Sequence, residues 1–531
     1  MRTHDIIIVA FKEFDNLGVG YLASVLSEKG YQPLIIDFRD GREKIIKTIW
    51  ENNPLVVGFS VIFQFYIYEF HELILALRES GIKCHFSAGG QYASMRYADL
   101  FTLIPSIDSI VRFEGEYTFL ELADRIRTGS NWRDIKGLAF MENGEIIINP
   151  PRPPELELDR FPFPVRAPLE EYALFKKFST IIAGRGCVNN CSFCNNTEYL
   201  RQSSFPIKRI RNPAKVAEEI AFLHYNNDCS VFLFEDDDFP LNTKTEPDWT
   251  DRFCKELKRR NLVRKIIWKI NCRPDEVEMT SFTKMKDHGL FLVFLGIDDG
   301  TDSGLNRLKK QMSVAETLSG INILKLLGVG FTYGFMLFQP DSTFETVNQN
   351  LDFLRKICGD GYSPVTFHKL LPFFDTKVEK QLQESGRLSG RPGFFDYDFL
   401  NKSLDHYYNF YNIVFYEWIN DPDGLQNVSK WARNYLLLFA HLYKMDSEVR
   451  SIDAEVQNIV AQSNMFLLDI MAELSGIFET GKYDSGNYRG LIGYKKNIKF
   501  KHDIFKEKLG TLVKRVNCIA EYQKIMKMIR N

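Results

Sequence analysis

The 531-residue sequence has no long apolar segment, little net charge and few cysteines. No apolar run reaches the roughly 20 residues that a bilayer-spanning helix needs, so we expect no membrane segment. We also expect no secretory signal, because Asp5 to Ala10 already has the pattern of a core strand. A net charge of −2 argues against nucleic acid as a partner. The composition and length predict a cytoplasmic, globular enzyme of two to four domains, which is about what a chain of this size forms.

The nine cysteines are unevenly distributed. Six are scattered without a pairing pattern, as expected of reduced thiols, and only Cys84 lies before Cys187. The other three, Cys187, Cys191 and Cys194, have the spacing C-x3-C-x2-C directly after Gly184 and Gly186. Soft thiolates on such a loop suit zinc or an iron–sulfur cluster. A structural zinc site normally has four protein ligands, and no second cysteine or histidine pair follows at zinc spacing.

Three thiolates on a 4Fe–4S cluster leave one iron open, so the count favours a cluster over zinc or a chance grouping of cysteines in a core. The spacing resembles the signature of the radical S-adenosylmethionine enzymes. The resemblance implies that Cys187, Cys191 and Cys194 are the cluster ligands. It also implies that the open iron chelates S-adenosylmethionine, which the reduced cluster cleaves to a 5′-deoxyadenosyl radical. Phe193 matches the aromatic position that lies against the adenine.

The N-terminal third alternates apolar runs with helical patterns. Strands of this kind form a parallel sheet with helices on both faces, which predicts a flavodoxin-like (Rossmann-type) α/β domain over residues 1–148. Ligands of such domains bind beyond the carboxyl ends of the strands. The predicted strands are Ile6–Ala10, Pro33–Phe38, Leu55–Val61, Cys84–Ala88 and Ser109–Phe113.

The loops after these strands resemble those of the cobalamin-binding domain found in cobalamin-dependent radical S-adenosylmethionine enzymes. The resemblance implies that the corrin is contacted by Ser60, Gly89, Gly90, Glu114, Gly115 and Glu116. Many cobalamin proteins have Asp-x-His-x-x-Gly after the first strand, but the segment from Phe11 to Gly18 has no histidine, so the lower axial ligand is not predictable. The alternative is a degenerate domain that keeps the fold and binds no corrin. A proline-rich linker is expected over residues 149–177.

A second alternation of strands and helices is expected over residues 178–391, with six strands. This matches the partial (β/α)6 TIM-type barrel of the radical S-adenosylmethionine family, in which chemistry takes place at the carboxyl ends of the strands. By resemblance, Asp236 and Asp237 meet the methionine ammonium, Asp298 lies near the ribose hydroxyls and Gly334 borders the adenine. Arg273 either pairs with a cofactor carboxylate or forms a surface salt bridge.

Two positions depart from the family pattern in this region. Phe338 replaces a glycine of the segment that borders the adenine, and Asp375 replaces the glycine of a Pro-Gly-Thr turn. Residues 392–531 change character and predict a mainly helical C-terminal domain. The aromatic segment from Tyr397 to Trp418 predicts a core, with a substrate wall as the alternative. The basic helix from Lys495 to Arg530 predicts a solvated amphipathic face, with nucleic-acid or lipid binding as its alternative.

Together these patterns predict a radical S-adenosylmethionine enzyme that, with cobalamin, methylates an unactivated carbon of a small-molecule, natural-product or peptide substrate. The expected electron donor is an external flavodoxin or ferredoxin. The same cofactors used for a rearrangement or ring modification are the first alternative. A non-catalytic iron–sulfur protein for electron transfer or sensing is the alternative from another class. No catalytic acid or base is assigned.

Overall fold

The computed structural model describes residues 4–12, 15–169, 171–203, 205–241, 247–481 and 492–530. The chain divides into two compact units, each built from separate stretches of sequence. The first contains residues 1–169, 179–215 and 371–396, and the second contains residues 170–178, 216–370 and 397–531. The predicted domain boundaries near 148, 177 and 391 stay predictions.

The first unit begins with a seven-stranded sheet in the order β2-β1-β3-β4-β5-β6-β7. The first five strands are parallel, and β6 and β7 form an antiparallel hairpin at one edge. This confirms the predicted doubly wound sheet, to which an antiparallel hairpin adds two strands. The strands are β1 (Ile6–Ala10), β2 (Pro33–Asp37), β3 (Val56–Ser60), β4 (His85–Gly89), β5 (Ser109–Val111), β6 (Leu138–Glu142) and β7 (Glu145–Ile148).

Helices cover this sheet on both faces. Alternate residues of β1 enter two different cores: Ile7 and Val9 lie in one, and Ile6 and Ile8 in the other. This is why the strand is apolar throughout instead of alternating. The helices are α1 (Leu17–Glu28), α2 (Arg42–Asn52), α3 (Ile67–Glu79), α4 (Gln91–Met95), α5 (Tyr97–Leu103) and α6 (Glu116–Thr128). Arg96 interrupts the helical segment after β4 and separates α4 from α5.

The cysteine motif lies in a short segment that follows the linker. Its strands β10 and β11 pair antiparallel, and the cysteines lie between β10 and α7. The elements of this segment are β8 (Glu171–Ala173), β9 (Lys176–Ile181), β10 (Gly184–Gly186), α7 (Asn196–Ser203) and β11 (Lys208–Ile210).

The second sheet has the order β16-β15-β14-β13-β12-β9-β8. β9 begins in the second unit, and its last three residues belong to the first. The pairs from β12 to β16 are parallel, and the sheet curls into a half-barrel. With β9 this gives the six predicted barrel strands, and antiparallel β8 is added at the edge. The remaining strands are β12 (Cys229–Phe234), β13 (Ile267–Cys272), β14 (Leu290–Asp298), β15 (Gly330–Phe338) and β16 (His368–Lys369).

Helices alternate with these strands. Both α12 and α13 begin with a capping box, in which Ser313 and Thr343 accept hydrogen bonds from backbone amides of the first turn. Such caps satisfy amides that have no partner within the helix. The helices are α8 (Pro213–Asn227), α9 (Trp249–Arg259), α10 (Met279–Asp287), α11 (Asp302–Arg307), α12 (Val314–Leu327) and α13 (Phe344–Cys358).

The rest of the chain is mainly helical, as predicted. The elements are α14 (Lys377–Glu384), β17 (Leu388–Arg391), β18 (Phe394–Tyr397), α15 (Lys402–Val414), α16 (Tyr416–Ile419), α17 (Leu425–Leu442), α18 (Ser447–Glu479) and α19 (Ile492–Arg530). Most aromatic side chains of α15 and α16 are buried, which confirms the predicted core. α19 packs against α17 and α18, and its buried residues include Ile498, Phe505 and Leu509. Among the described residues, no helix is long and apolar enough to cross a membrane.

Candidate functional site

Two glycines shape the hairpin that carries the cysteine loop. Gly186 has a φ of +91°, and a Cβ atom there would lie 2.2 Å from the carbonyl oxygen of Ile207. A Cβ atom on Gly184 would lie 2.6 Å from the carbonyl oxygen of Arg209. Only glycine lets the two backbones approach this closely. The close pairing of these backbones therefore fixes the position at which the cysteine loop begins.

The three cysteines are half-buried. The backbone amide of Asn189 and its side-chain Nδ2 each donate to Cys187 Sγ at 3.4 Å, and the amide of Cys194 donates to the carbonyl of Cys191 at 3.4 Å. N–H donors on a sulfur stabilise its thiolate, and such donors tune iron–sulfur clusters. Three soft donors on an irregular loop with this support fit a 4Fe–4S cluster. Phe193, half-buried between two cysteines, keeps its predicted role as a prediction.

The start of α14, in the first unit, makes hydrogen bonds to the cysteine loop. Lys377 Nζ donates to Asn190 Oδ1 at 2.7 Å, and the amide of Val378 donates to the carbonyl of Ser192 at 3.4 Å. Asp375, two residues before Lys377, has a φ of +61°. This is the left-handed region that glycine favours and that aspartate tolerates better than most residues, which explains how Asp375 stands where the family has glycine.

The predicted cobalamin loops lie next to the cysteine segment within the same unit. Gln91, directly after Gly90, donates from Nε2 to Asn196 Oδ1 at 2.8 Å. Gly90 has a φ of +104°, and a Cβ atom there would lie 2.7 Å from the carbonyl oxygen of Val61. At Gly89 the nearest atom to such a Cβ would be 3.4 Å away. Of these two positions, it is therefore Gly90 whose backbone conformation and close contact require glycine. The small residues at these strand ends, with half-buried Ser60, fit the close approach of a large flat ligand.

The first loop is used differently from the histidine pattern of other cobalamin proteins. Asp15 Oδ2 accepts hydrogen bonds from Ser179 Oγ at 2.8 Å and from Arg166 Nη1 at 3.3 Å. Asn16 caps α1 by accepting from the amide of Val19. Residues 13 and 14 lie outside the described part of the chain. The described side chains of this loop therefore anchor it to the linker and to β9.

Glu114 and Glu116, predicted to contact the corrin, are paired with the two arginines that flank the cysteine loop. Arg185 contacts Glu116 at 2.7 Å and Glu114 at 3.2 Å, and Arg209 pairs with Glu114. All four side chains are at most 19% exposed. Although burial opposes ionisation, hydrogen bonds from Arg209 and Arg185 hold the pKa of Glu114 below its usual range. Sequence reasoning identified the two acids but missed their partners; corrin contact by Glu114, Gly115 and Glu116 stays a prediction.

In the second unit, the loop after β12 buries two of its acids. Asp236 and Asp238 are buried, whereas Asp237 is exposed. Asn271, near the end of β13, donates from Nδ2 to the carbonyl of Asp236 at 3.3 Å. Its Oδ1 is buried and has no hydrogen-bond partner among the residues that the structure describes. An orphaned acceptor at the carboxyl edge of this sheet fits a donor such as an ammonium or hydroxyl group of S-adenosylmethionine. Sequence reasoning missed Asn271, whose only signal was its position at a strand end.

Arg273 is engaged locally. Its Nε and Nη2 atoms each lie 2.9 Å from a carboxylate oxygen of Asp275, in a two-point contact, and its amide donates to Glu276. Fork-shaped pairs of this kind fix the guanidinium plane. The pair with Asp275 corresponds to the salt-bridge alternative, and contact of Arg273 with the cofactor stays a prediction.

Asp298 ends β14 at a φ of +70° and pairs with buried Lys310, with 2.6 Å between Oδ2 and Nζ. Lys310 also donates to the carbonyl of Gly296 at 2.9 Å. A Cβ atom on Gly334 would lie 3.5 Å from Asp298 Oδ1, so the two predicted cofactor residues are neighbours. Buried Asp299 accepts from Gln339 Nε2 at 2.5 Å, and burial raises its pKa. No sequence pattern indicated Lys310.

Phe338 is a core residue. It is completely buried, and its ring packs against five aromatic rings, with centroid distances of 5.0–6.4 Å, from Phe367, Phe399, Tyr407, Tyr408 and Tyr411. The position where the family has glycine is therefore used here to join β15 to the C-terminal helices.

We expect Phe338→Ala to destabilise the protein by about 3–5 kcal/mol, because it removes a buried ring and leaves a cavity. The measurement is the apparent melting temperature, with exposed Phe500→Ala as a control that should leave it unchanged. A Phe338→Ala protein as stable as its parent would show that the ring is not part of the core.

Comparisons with known proteins identify two domains, one with the cysteine loop and most of the half-barrel, and one with most of the N-terminal sheet. A model of the radical SAM superfamily matches residues 181–354, and a model of the B12 binding domain matches residues 3–123. An uncharacterized methyltransferase of Pyrococcus horikoshii is 28% identical over 353 residues, which cover 64% of this chain and 73% of the relative. An anaerobic magnesium-protoporphyrin IX monomethyl ester cyclase of Rubrivivax gelatinosus is 28% identical over 384 residues, covering 68% of this chain and 66% of the relative.

Solved structures show the same fold. The cobalamin-dependent S-adenosylmethionine radical enzyme OxsB, with aqua-cobalamin and S-adenosylmethionine bound, matches 94% of this chain and 84% of its own, with a TM-score of 0.65 and 16% identity. The radical S-adenosylmethionine methyltransferase TsrM from Kitasatospora setae, with cobalamin and a 4Fe–4S cluster, matches 72% of this chain and 75% of its own, with a TM-score of 0.59 and 17% identity. The chain thus contains a radical SAM domain and a B12 binding domain, and these domains imply a 4Fe–4S cluster, S-adenosylmethionine and cobalamin as its cofactors.

Proposed function

We propose that the protein is a methyltransferase that acts at an unactivated carbon of a small molecule. In this proposal Cys187, Cys191 and Cys194 ligate the cluster, and the loops after β3, β4 and β5 hold cobalamin. Bound there, the cluster supplies the electron that cleaves S-adenosylmethionine, and cobalamin supplies the methyl group. The observation that carries the proposal is the buried ion network that joins the loop after β5 to both ends of the cysteine segment.

The chain's own residues orient and shield these groups. Asn189 donates to Sγ of Cys187, a proposed cluster ligand, Lys377 holds the loop through Asn190, and Gln91 links the loop after β4 to α7. At the edge of the second sheet, Asn271 offers a buried acceptor and Asp298 a buried carboxylate for S-adenosylmethionine. Preorganised groups of this kind are the protein's contribution to a cofactor reaction. The electron donor in the cell would be a flavodoxin or ferredoxin.

The test is anaerobic reconstitution with iron, sulfide and hydroxocobalamin, followed by reduction in the presence of S-adenosylmethionine. We expect 5′-deoxyadenosine to form, and the visible spectrum to show corrin bound after gel filtration. The absence of 5′-deoxyadenosine would refute the radical function. A spectrum without corrin would remove the methyl-transfer step while leaving the radical chemistry in place.

A second candidate is a rearrangement or ring modification with the same cofactors. The similarity to the Rubrivivax gelatinosus enzyme favours it, because that relative is a cyclase. Deuterium in the methyl group of S-adenosylmethionine distinguishes the two functions. Methyl transfer carries the label into bound methylcobalamin, whereas a reaction without methyl transfer leaves the corrin unlabelled.

A further inference from the structure

The inner face of the half-barrel is defined by the alternation of side chains along its strands. Trp268 on β13 faces the helix layer, where its ring packs against Phe253 of α9 at a centroid distance of 5.5 Å. Lys269 and Asn271 therefore face the opposite, concave side. Phe294 of β14 is in register with Asn271 and is 36% exposed.

The strand pairing extends this concave face to the other edge of the sheet. Phe335 of β15 stacks on Phe353 of α13 in the helix layer, so Met336 faces the concave side. His368 of β16 is in register with Met336 and shares its face. Met336 is half-buried and His368 is exposed.

Helix α17 packs across one end of the concave face. It lies against β14 and β15, and a Cβ atom on Gly330 would come within 2.2 Å of Leu437 Cδ1. Gly330 is in register with Leu292, which is in register with Lys269. Leu437 therefore covers the amino-terminal row of the concave face. Lys430, two turns earlier on α17, remains exposed.

Lys430 precedes Leu437 by seven residues, which places it on the same face of α17 as Leu437, the face that covers the concave side. Burial and then the positive charge of Lys269 lower the pKa of Lys430, and burial and then the charge of Lys430 lower the pKa of His368. Lys430 and His368 are nevertheless accessible to water. Glu235 contacts Lys269 at 3.2 Å, and Asp298, near Phe294 on the same face, pairs with Lys310.

We propose that the concave face of the half-barrel binds the anionic group of a small-molecule substrate, with Lys430 and Lys269 as its cationic contacts. Phe294 and Met336 lie beside the apolar part of that molecule. Lys430 and Lys269 bring two amines to the same face, where Glu235 contacts Lys269, and a bound anion stabilises cations that lie close to one another. This inference deepens the proposed function, on which it rests, by assigning a substrate class to the same site.

The experiment uses the full-length reconstituted enzyme with saturating S-adenosylmethionine. Phenylphosphonate, an anion with an apolar ring, is titrated by calorimetry beside benzyl alcohol, which has a similar size and no charge. We expect phenylphosphonate to bind at least tenfold more tightly than benzyl alcohol. Lys430→Met should weaken the binding of phenylphosphonate at least tenfold, whereas Lys430→Arg should retain most of it. Exposed Lys402→Met is the matched control and should bind as the parent does.

Four outcomes would overturn the proposal: no phenylphosphonate binding to the parent, equal binding of benzyl alcohol, unchanged binding in Lys430→Met, or competition with S-adenosylmethionine. Lys269→Met provides a second test of the site, because removing this amine should also weaken the binding of phenylphosphonate. Formation of 5′-deoxyadenosine by the parent is measured in parallel. Anion binding without this cleavage would refute the radical function alone, and cleavage without anion binding would refute the substrate assignment alone.

Discussion

Replacing Cys191 with alanine is expected to abolish reductive cleavage of S-adenosylmethionine. Two thiolates cannot hold a 4Fe–4S cluster in the way that three can, so the reduced cluster that cleaves the sulfonium is lost. We expect iron content near background after reconstitution and gel filtration, no electron paramagnetic resonance signal of a reduced cluster, and 5′-deoxyadenosine lower by roughly three orders of magnitude or more.

The matched control for Cys191→Ala is Cys84→Ala, because both cysteines are half-buried but only Cys191 belongs to the spaced motif. Cys84→Ala should bind iron and form 5′-deoxyadenosine like the parent. Corrin binding by Cys191→Ala should also persist, because the loops after β3 and β4 contain none of the three cysteines. Normal iron content in Cys191→Ala would rule out the proposed ligand set.

Much of the fold could be predicted because its strands are apolar throughout and are separated by helical patterns. β1 was predicted with its observed ends, Ile6–Ala10, since both of its faces enter cores. At the sixth barrel strand the apolar pattern is longer than the observed strand, β16, in which His368–Lys369 pair with β15. The apolar pattern there reflects packing against the C-terminal helices, since Phe367 packs on Tyr411. Burial and strand pairing leave the same signal in sequence.

The candidate site was less predictable because its side chains meet partners far away in sequence. Glu114 was recognised from a short motif, but Arg209 is 95 residues further on, and no local spacing could link them. Lys310 and Asp298 are closer, but the pair forms only because the chain turns after β14 at Asp298, a non-glycine residue with positive φ. Motifs indicate which residue types are present, whereas partners depend on tertiary packing.

Replacing Arg185 with methionine is expected to have the largest effect on local stability. Arg185 neutralises Glu114 and Glu116 in a place where neither acid is more than 13% exposed. Methionine has a similar length but no charge, so Glu116 would lose its ion pair with Arg185 and Glu114 would keep only its pair with Arg209. Breaking a buried ion pair by removing one partner costs about 3–5 kcal/mol.

Because the chain has two compact units and need not unfold in one step, hydrogen exchange of the β10–β11 amides is the appropriate measurement. We expect exchange there to be faster by two to three orders of magnitude, since about 1.4 kcal/mol corresponds to a factor of ten.

A double variant separates the buried charge from the shape of the side chain. Arg185→Met combined with Glu116→Gln removes one positive and one negative charge together, so its exchange should be slower than that of Arg185→Met alone. Exposed Arg42, paired with Glu72 on the surface, supplies the control Arg42→Met, which should exchange like the parent because surface pairs contribute little. The β10–β11 hairpin leads into the cysteine loop, so Arg185→Met should also lose iron faster on dilution, and the double variant should recover part of that retention. If both variants exchanged at the rate of the parent, the network would not be what fixes the cysteine loop.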